Sequence, residues 1–84
     1  MTRDEIRTAI LDEISGIAPE ADLSSLDSAA DLRDQVDLDS FDFLNLMIAV
    51  HKRLGVEVPE RDYARLSTLD RAVDYLATRA GSSP

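Results

Sequence analysis

DLDSFDFLNLMIAVHKRLG, residues 37–55, is a helix with its punctuation in place. Asp39 and Ser40 are both helix-start residues, because a short side-chain oxygen can accept from the free N–H groups of a first turn. Gly55 is a stop signal. At about 100° per residue, Phe43, Leu46, Met47, Val50 and Leu54 fall on one arc, which makes a core face. Phe41, Leu44 and Ile48 fall outside that arc, at i, i+3 and i+7, as a second apolar stripe. Asp42, Asn45, Lys52 and Arg53 fill the polar remainder. One core face is all that a peripheral helix needs. The second stripe is therefore covered by another segment, contacts another protein, or borders a cavity. For Leu44 the first reading is cover by the neighbouring loop or the core. For Phe41 and Ile48 it is partial exposure and a partner contact.

Working outward, Thr2 and Glu5 have the spacing of a capping box. Ile6, Ala9, Ile10, Ile14 and Ile17 follow at helical spacing, which predicts a first helix over residues 3–15 with Gly16 as its stop. Residues 16–38 have no clean period and are rich in turn formers: Pro19, Asp22, Ser24, Ser25, Asp27 and Ser28. A loop of that length in a small domain is commonly functional. Leu23, Leu26, Leu32, Val36 and Leu38 pin it to the core, with a short helical turn within it. Residues 56–59 read as extended, and residues 60–64 as one helical turn after Pro59. Ser67 and Thr68 cap a last helix whose face is Leu69, Ala72, Val73, Leu76, Ala77 and Ala80. The expected fold class is all-α: a small four-helix bundle of three main helices and one short one, with a long first loop. Residues 1–80 form a single domain and residues 81–84 a flexible tail.

The chain has 84 residues and a net charge of −8, room for one domain with a modest core. Residues 12–42 hold ten acids and only one base, Arg33, while the rest of the chain is close to balanced. Phosphate backbones require Lys and Arg, so the reading is no nucleic acid and no anionic membrane, but a basic protein surface as partner. There is no cysteine, hence no disulfide framework and no thiolate metal site, and the single histidine, His51, excludes a zinc site built on several histidines. The N-terminus has no signal-peptide pattern, and the apolar run over residues 43–50 is too short to insert through a bilayer. A cytoplasmic location fits these features.

Ser40 is either the N-cap or, if Asp39 takes that place, the first helical residue with its hydroxyl pointing outward. A helix start favours an anion, so a phosphodiester on Ser40 would sit well there. As a nucleophile Ser40 lacks a glycine-flanked elbow, and His51 lies about three turns along the same helix. The acids fail as a calcium loop, since Phe41, Asp42 and Ile48 occupy positions that need a ligand, a glycine and a glutamate. No catalytic and no metal-binding residue is assigned.

LRDQVDLDSFDFLNLMIAVHKRLGVEVPE, residues 32–60, resembles the core of acyl carrier proteins, which carry an Asp-Ser-Leu motif at the head of their second helix. Here the motif is Asp39-Ser40-Phe41, and STLDRAVDYLATR, residues 67–79, resembles the family's last helix. The resemblance implies that a phosphopantetheinyl transferase joins 4′-phosphopantetheine from coenzyme A to Ser40. The cofactor thiol then carries acyl groups as thioesters between acyl-loading and acyl-processing enzymes of fatty acid, polyketide or related biosynthesis. It implies a carrier, not an enzyme. It also implies a monomer, with Asp39 as motif residue and helix cap. Phe41, Asp42, Leu44, Asn45 and Ile48 are then the docking residues read by basic patches on partners. Asn45 and the His51-Lys52-Arg53 end depart from the family's glutamate-rich pattern, which points to a specialised member. The alternatives are an aminoacyl or peptidyl carrier, and a cofactor-free interaction module.

Overall fold

The capping box at Thr2 opens the first helix, α1 (Arg3–Ile17). The Glu5 N–H donates to Thr2 Oγ1 at 3.1 Å and the Thr2 N–H to Glu5 Oε1 at 2.8 Å. Ile6, Ala9, Ile10 and Ile14 form its buried face. Gly16 does not end the helix, which runs on to Ile17. The stop is set by Pro19, whose ring pushes the preceding Ala18 out of the helical region, to φ −128° and ψ 72°. The structure is a computed structural model and describes residues 2–80. The tail expected over residues 81–84 lies outside the described residues.

Two short helical segments punctuate the long connection: a 3₁₀ turn (Leu23–Ser25) capped by Asp22, and α2 (Leu32–Gln35) capped by Asp31. Sequence had suggested one such turn. The connection is tied down at both backbone and core. The Leu32 N–H donates to the Ser67 carbonyl at 2.8 Å and the Asp70 N–H to the Ser28 carbonyl at 2.9 Å. The Gln35 amide accepts from the Asp27 N–H and donates to the Asp27 carbonyl. Leu32, Val36 and Leu38 are buried, while Leu23 and Leu26 pack half-buried against the same core. The ordering of this loop thus rests on apolar side chains that only make sense once the helices around them exist.

Next comes α3 (Ser40–Leu54), with Phe43, Leu46, Met47 and Val50 buried. It ends at Gly55 in the left-handed region, φ 69°, where the glycine N–H donates to the His51 carbonyl at 2.8 Å. Leu54 is half-buried rather than central, being the last helical residue. Val56 and Val58 fill the core from an extended stretch. A 3₁₀ helix (Glu60–Leu66) follows Pro59, longer and tighter than the single turn expected there. Thr68 caps α4 (Leu69–Arg79), and its side chain accepts from the Arg71 N–H. Leu69, Ala72, Val73 and Leu76 are buried as the stripe requires, and Tyr75 joins them. Among the described residues, α1 packs on α3 and α4, and α4 on the Glu60–Leu66 segment. Among the described residues, the only β feature is an isolated bridge between Asp31 and Thr68. The fold is a small all-α bundle.

Two polar clusters lock the bundle. Arg53, near the end of α3, reaches back to α1 and donates to Asp12 at 3.0 Å and Glu13 at 3.1 Å. These two acids hold the Arg53 guanidinium's pKa above its ordinary value, Glu13 most strongly. Part of the basic end of α3 therefore ties two helices together while still exposed. The second cluster centres on Asp62, a buried acid. It accepts from the Tyr75 hydroxyl at 2.6 Å and from Arg79 at 3.2 Å, with Arg65 and Arg79 stacked over the Tyr75 ring.

Candidate functional site

At the head of α3 two acids cap each other. The Asp42 N–H donates to Asp39 Oδ1 at 2.8 Å, and the Asp39 N–H donates to Asp42 Oδ2 at 3.4 Å. Asp39, with ψ near −177°, is the N-cap residue. That leaves Ser40 at the first helical position, exposed, and among the described residues no hydrogen bond holds its hydroxyl. The free N–H groups of a 15-residue helix and its positive dipole end surround it. His51 stands eleven residues further along the same helix, about 16 Å in rise, so no base activates the hydroxyl from there. The position suits a bond to phosphate, and the exposed surface leaves space for a long flexible arm.

Below Ser40 the outer side of α3 is apolar where a monomer would ordinarily be polar. Phe41 is 76% exposed, Ile48 43% and Leu44 38%. The expectation that Leu44 is covered by the loop or the core does not hold, for Leu44 is exposed while the loop's Leu32, Val36 and Leu38 are buried in the core. Asn45 is exposed beside them. Asp42 is half-buried and committed to the cap, so its carboxylate is turned toward the helix head. Asp34 and Asp37, ahead of Ser40, are exposed acids whose carboxylates the cap does not use. At the far end His51 and Lys52 are exposed, while Arg53 faces α1. The wheel already sets Arg53, which borders the core arc beside Leu46, apart from His51 and Lys52, and the packing of α1 supplies its partners.

A small helical bundle that offers one unbonded hydroxyl at the head of a half-apolar exposed helix has the architecture of a carrier domain. Residues 8–76 match the sequence profile of the family described as "Phosphopantetheine attachment site". The chain is 30% identical over 86 aligned positions to the acyl carrier protein of Acidothermus cellulolyticus, covering 99% of this chain and 98% of that one. It is 32% identical over 76 positions to the acyl carrier protein of Lactobacillus johnsonii, covering 90% and 94%. It is 24% identical over 79 positions to the mitochondrial acyl carrier protein of Neurospora crassa, covering 94% of this chain and 59% of that one. The chain belongs to the acyl carrier protein family. Its role is that of an acyl carrier rather than a catalyst, and the family's prosthetic group is 4′-phosphopantetheine. Among the described residues, no helix is long and apolar enough to cross a membrane and no group of acidic or histidine side chains could hold a metal ion.

Proposed function

We propose that Ser40 is the attachment residue and that this chain is a specialised, monomeric acyl carrier of the cytoplasm, where coenzyme A supplies the group. One observation carries the reading: Asp39 takes the cap, which leaves the Ser40 hydroxyl exposed and unbonded at the positive end of α3. A phosphodiester formed there gains from the helix dipole and needs no other residue to hold it. The bound arm would supply a thiol, which this chain lacks, to hold acyl groups as thioesters. Residues 1–80 serve as one domain. Phe41, Leu44, Asn45 and Ile48 form the surface that partner enzymes read. Asp34 and Asp37 attract the basic rim of a transferase or acyl-processing enzyme, and Asp39 and Asp42 contribute by fixing the helix head. The products belong to fatty acid, polyketide or related biosynthesis.

The test is intact mass after incubation with coenzyme A and a broad-specificity phosphopantetheinyl transferase. Wild type should gain the mass of one phosphopantetheine arm, and Ser40→Ala should gain none while remaining helical. No gain on wild type, or the same gain on Ser40→Ala, would overturn the assignment.

A further inference from the structure

On the helical wheel Ser40, Phe41, Leu44, Asn45, Ile48, His51 and Lys52 share one outward arc of about 140°. All seven are exposed, and none is an acid. The acids of α3 and its cap, Asp39 and Asp42, both lie at the Ser40 end, whereas Glu57 and Glu60 are exposed on the chain that follows the helix. The other end carries a lysine that, among the described residues, no carboxylate pairs. Arg53, its neighbour, is paired twice over with α1. The face is therefore bipolar, and its basic pole is not consumed by internal ties. Beside that pole lies a hollow of about 260 Å³ between α3 and the Glu60–Leu66 segment, lined by Met47, Ile48, His51, Lys52, Val58 and Tyr63. Met47, Ile48, Val58 and the Tyr63 ring make its lining largely apolar, and Lys52 and His51 are its basic and imidazole members.

We propose that this hollow is a second recognition point, one that seats an apolar side chain of a partner protein while Lys52 holds a carboxylate next to it. The proposal rests on the docking role assigned above to the outer face of α3. It specifies the partner's surface: basic where it meets the Ser40 end, and acidic with an adjacent apolar side chain about 18 Å further along the helix. A uniformly basic docking patch meets Lys52 with like charge and is disfavoured. The hollow supplies the desolvated anchor around which such a contact is strongest.

The contact can be read without the natural partner. Amide shifts of the apo protein are followed while an acetylated, amidated peptide containing Leu-Glu is titrated in, with Leu-Gln and Leu-Lys versions alongside. Leu-Glu should move the amides of Ile48, His51, Lys52 and Val58 with millimolar affinity, Leu-Gln should bind several-fold more weakly, and Leu-Lys should leave them still. Lys52→Glu should reverse the order of the first and last peptides. Equal shifts with all three peptides, or none with Leu-Glu, would overturn the proposal. In parallel, Lys52→Glu should raise kcat/KM for loading by a basic-surfaced transferase about 3- to 10-fold; an unchanged or lower value counts against it. The intact-mass assay on Ser40 separates the two readings. A protein that binds Leu-Glu but is never loaded keeps the hollow and loses the carrier assignment, and the converse result does the opposite.

Discussion

Asp39 and Ser40 are adjacent and both small and polar, yet α3 uses them for opposite purposes. Asp39 closes the helix head by accepting the Asp42 N–H at 2.8 Å, and Ser40 contributes nothing to the fold that Ala could not. Stability should therefore separate them. Asp39→Ala should cost about 1 kcal/mol, because the Asp42 N–H loses its acceptor, while the backbone N–H at position 39 still donates to the Asp42 carboxylate. Ser40→Ala should stay within about 0.5 kcal/mol of wild type. Urea unfolding followed by circular dichroism measures both; equal losses would mean that Ser40 shares the cap and that its hydroxyl is not free. The same geometry bears on Asp42. Its charge looks available in sequence, but it is spent on the helix head, so reversing it would disturb the fold as well as any docking. Asp37, exposed and without a cap to hold, is the cleaner probe of docking charge. Residue type alone leaves both Asp39 and Ser40 open as the cap; the resemblance already implied Asp39, and the structure has it there because of where the incoming chain turns. Arg33 contributes to that turn by donating to the Leu38 carbonyl at 3.2 Å.

At the scale of the element, α3 shows how far periodicity reaches. Its wheel places Phe43, Leu46, Met47 and Val50 inside, and all four are buried. The same wheel places Phe41, Leu44 and Ile48 on another side but cannot say what lies over it. That is a matter of loop path, and the loop buries Leu32, Val36 and Leu38 elsewhere. Leu46, fully buried, and Ile48, 43% exposed, have similar side chains two residues apart. Leu46→Ala should destabilise by about 2–5 kcal/mol through lost burial and a residual cavity, and Ile48→Ala by about 1 kcal/mol or less. Equal losses in urea unfolding would mean that the outer stripe is structural after all. Gly16 and Gly55 show the matching limit for helix ends. Both read as stops, but only Gly55 takes a positive φ, because at Gly16 the next proline, two residues beyond the helix end, does the stopping. The three long helices were legible from pattern, whereas their exact ends, the second helical segment of the long connection and the 3₁₀ character of residues 60–66 were not.

For the whole molecule, the excess of acid lies in the chain from α1 to the first turn of α3, while residues 60–79 carry four acids and four bases. The Asp62 cluster was invisible in the sequence. An aspartate before a tyrosine in an Arg-rich stretch reads as surface, and Tyr75 sits at the edge of the α4 stripe, where its burial depends on the segment laid over it. That segment is held by Asp62, and this makes acid stability a probe of the tertiary fold. The Tyr75 hydroxyl, donating at 2.6 Å, chiefly holds the Asp62 carboxyl below its ordinary value of 3.8; the charges of Arg65, Arg79 and Arg61 add to this and burial opposes it. Glu5, through its bonds to Thr2, and Asp22, through Ser24, are lowered in the same direction. A carboxyl with a lowered native value binds its proton more readily in the unfolded chain. The stability it contributes is present above the unfolded value and is lost as pH falls through the native one. Tyr75 works at the opposite end: burial first, then Asp62, raises its phenol above 10.0, so its contribution holds below that value and fades as pH climbs through the native one. Below about pH 4 the thermal midpoint of the wild type should therefore fall steeply. Asp62→Asn should start from a lower midpoint at neutral pH and then fall less steeply, because the group that takes up the proton is gone. Asp22→Asn, at an exposed turn, should change the midpoint little at neutral pH and remove a smaller part of the slope. Melting curves by circular dichroism across the acid limb decide the matter. If Asp62→Asn tracked wild type in parallel down to the lowest pH, the linkage would lie elsewhere, and the Asp62–Tyr75–Arg79 cluster would be a packing feature without a titrating role.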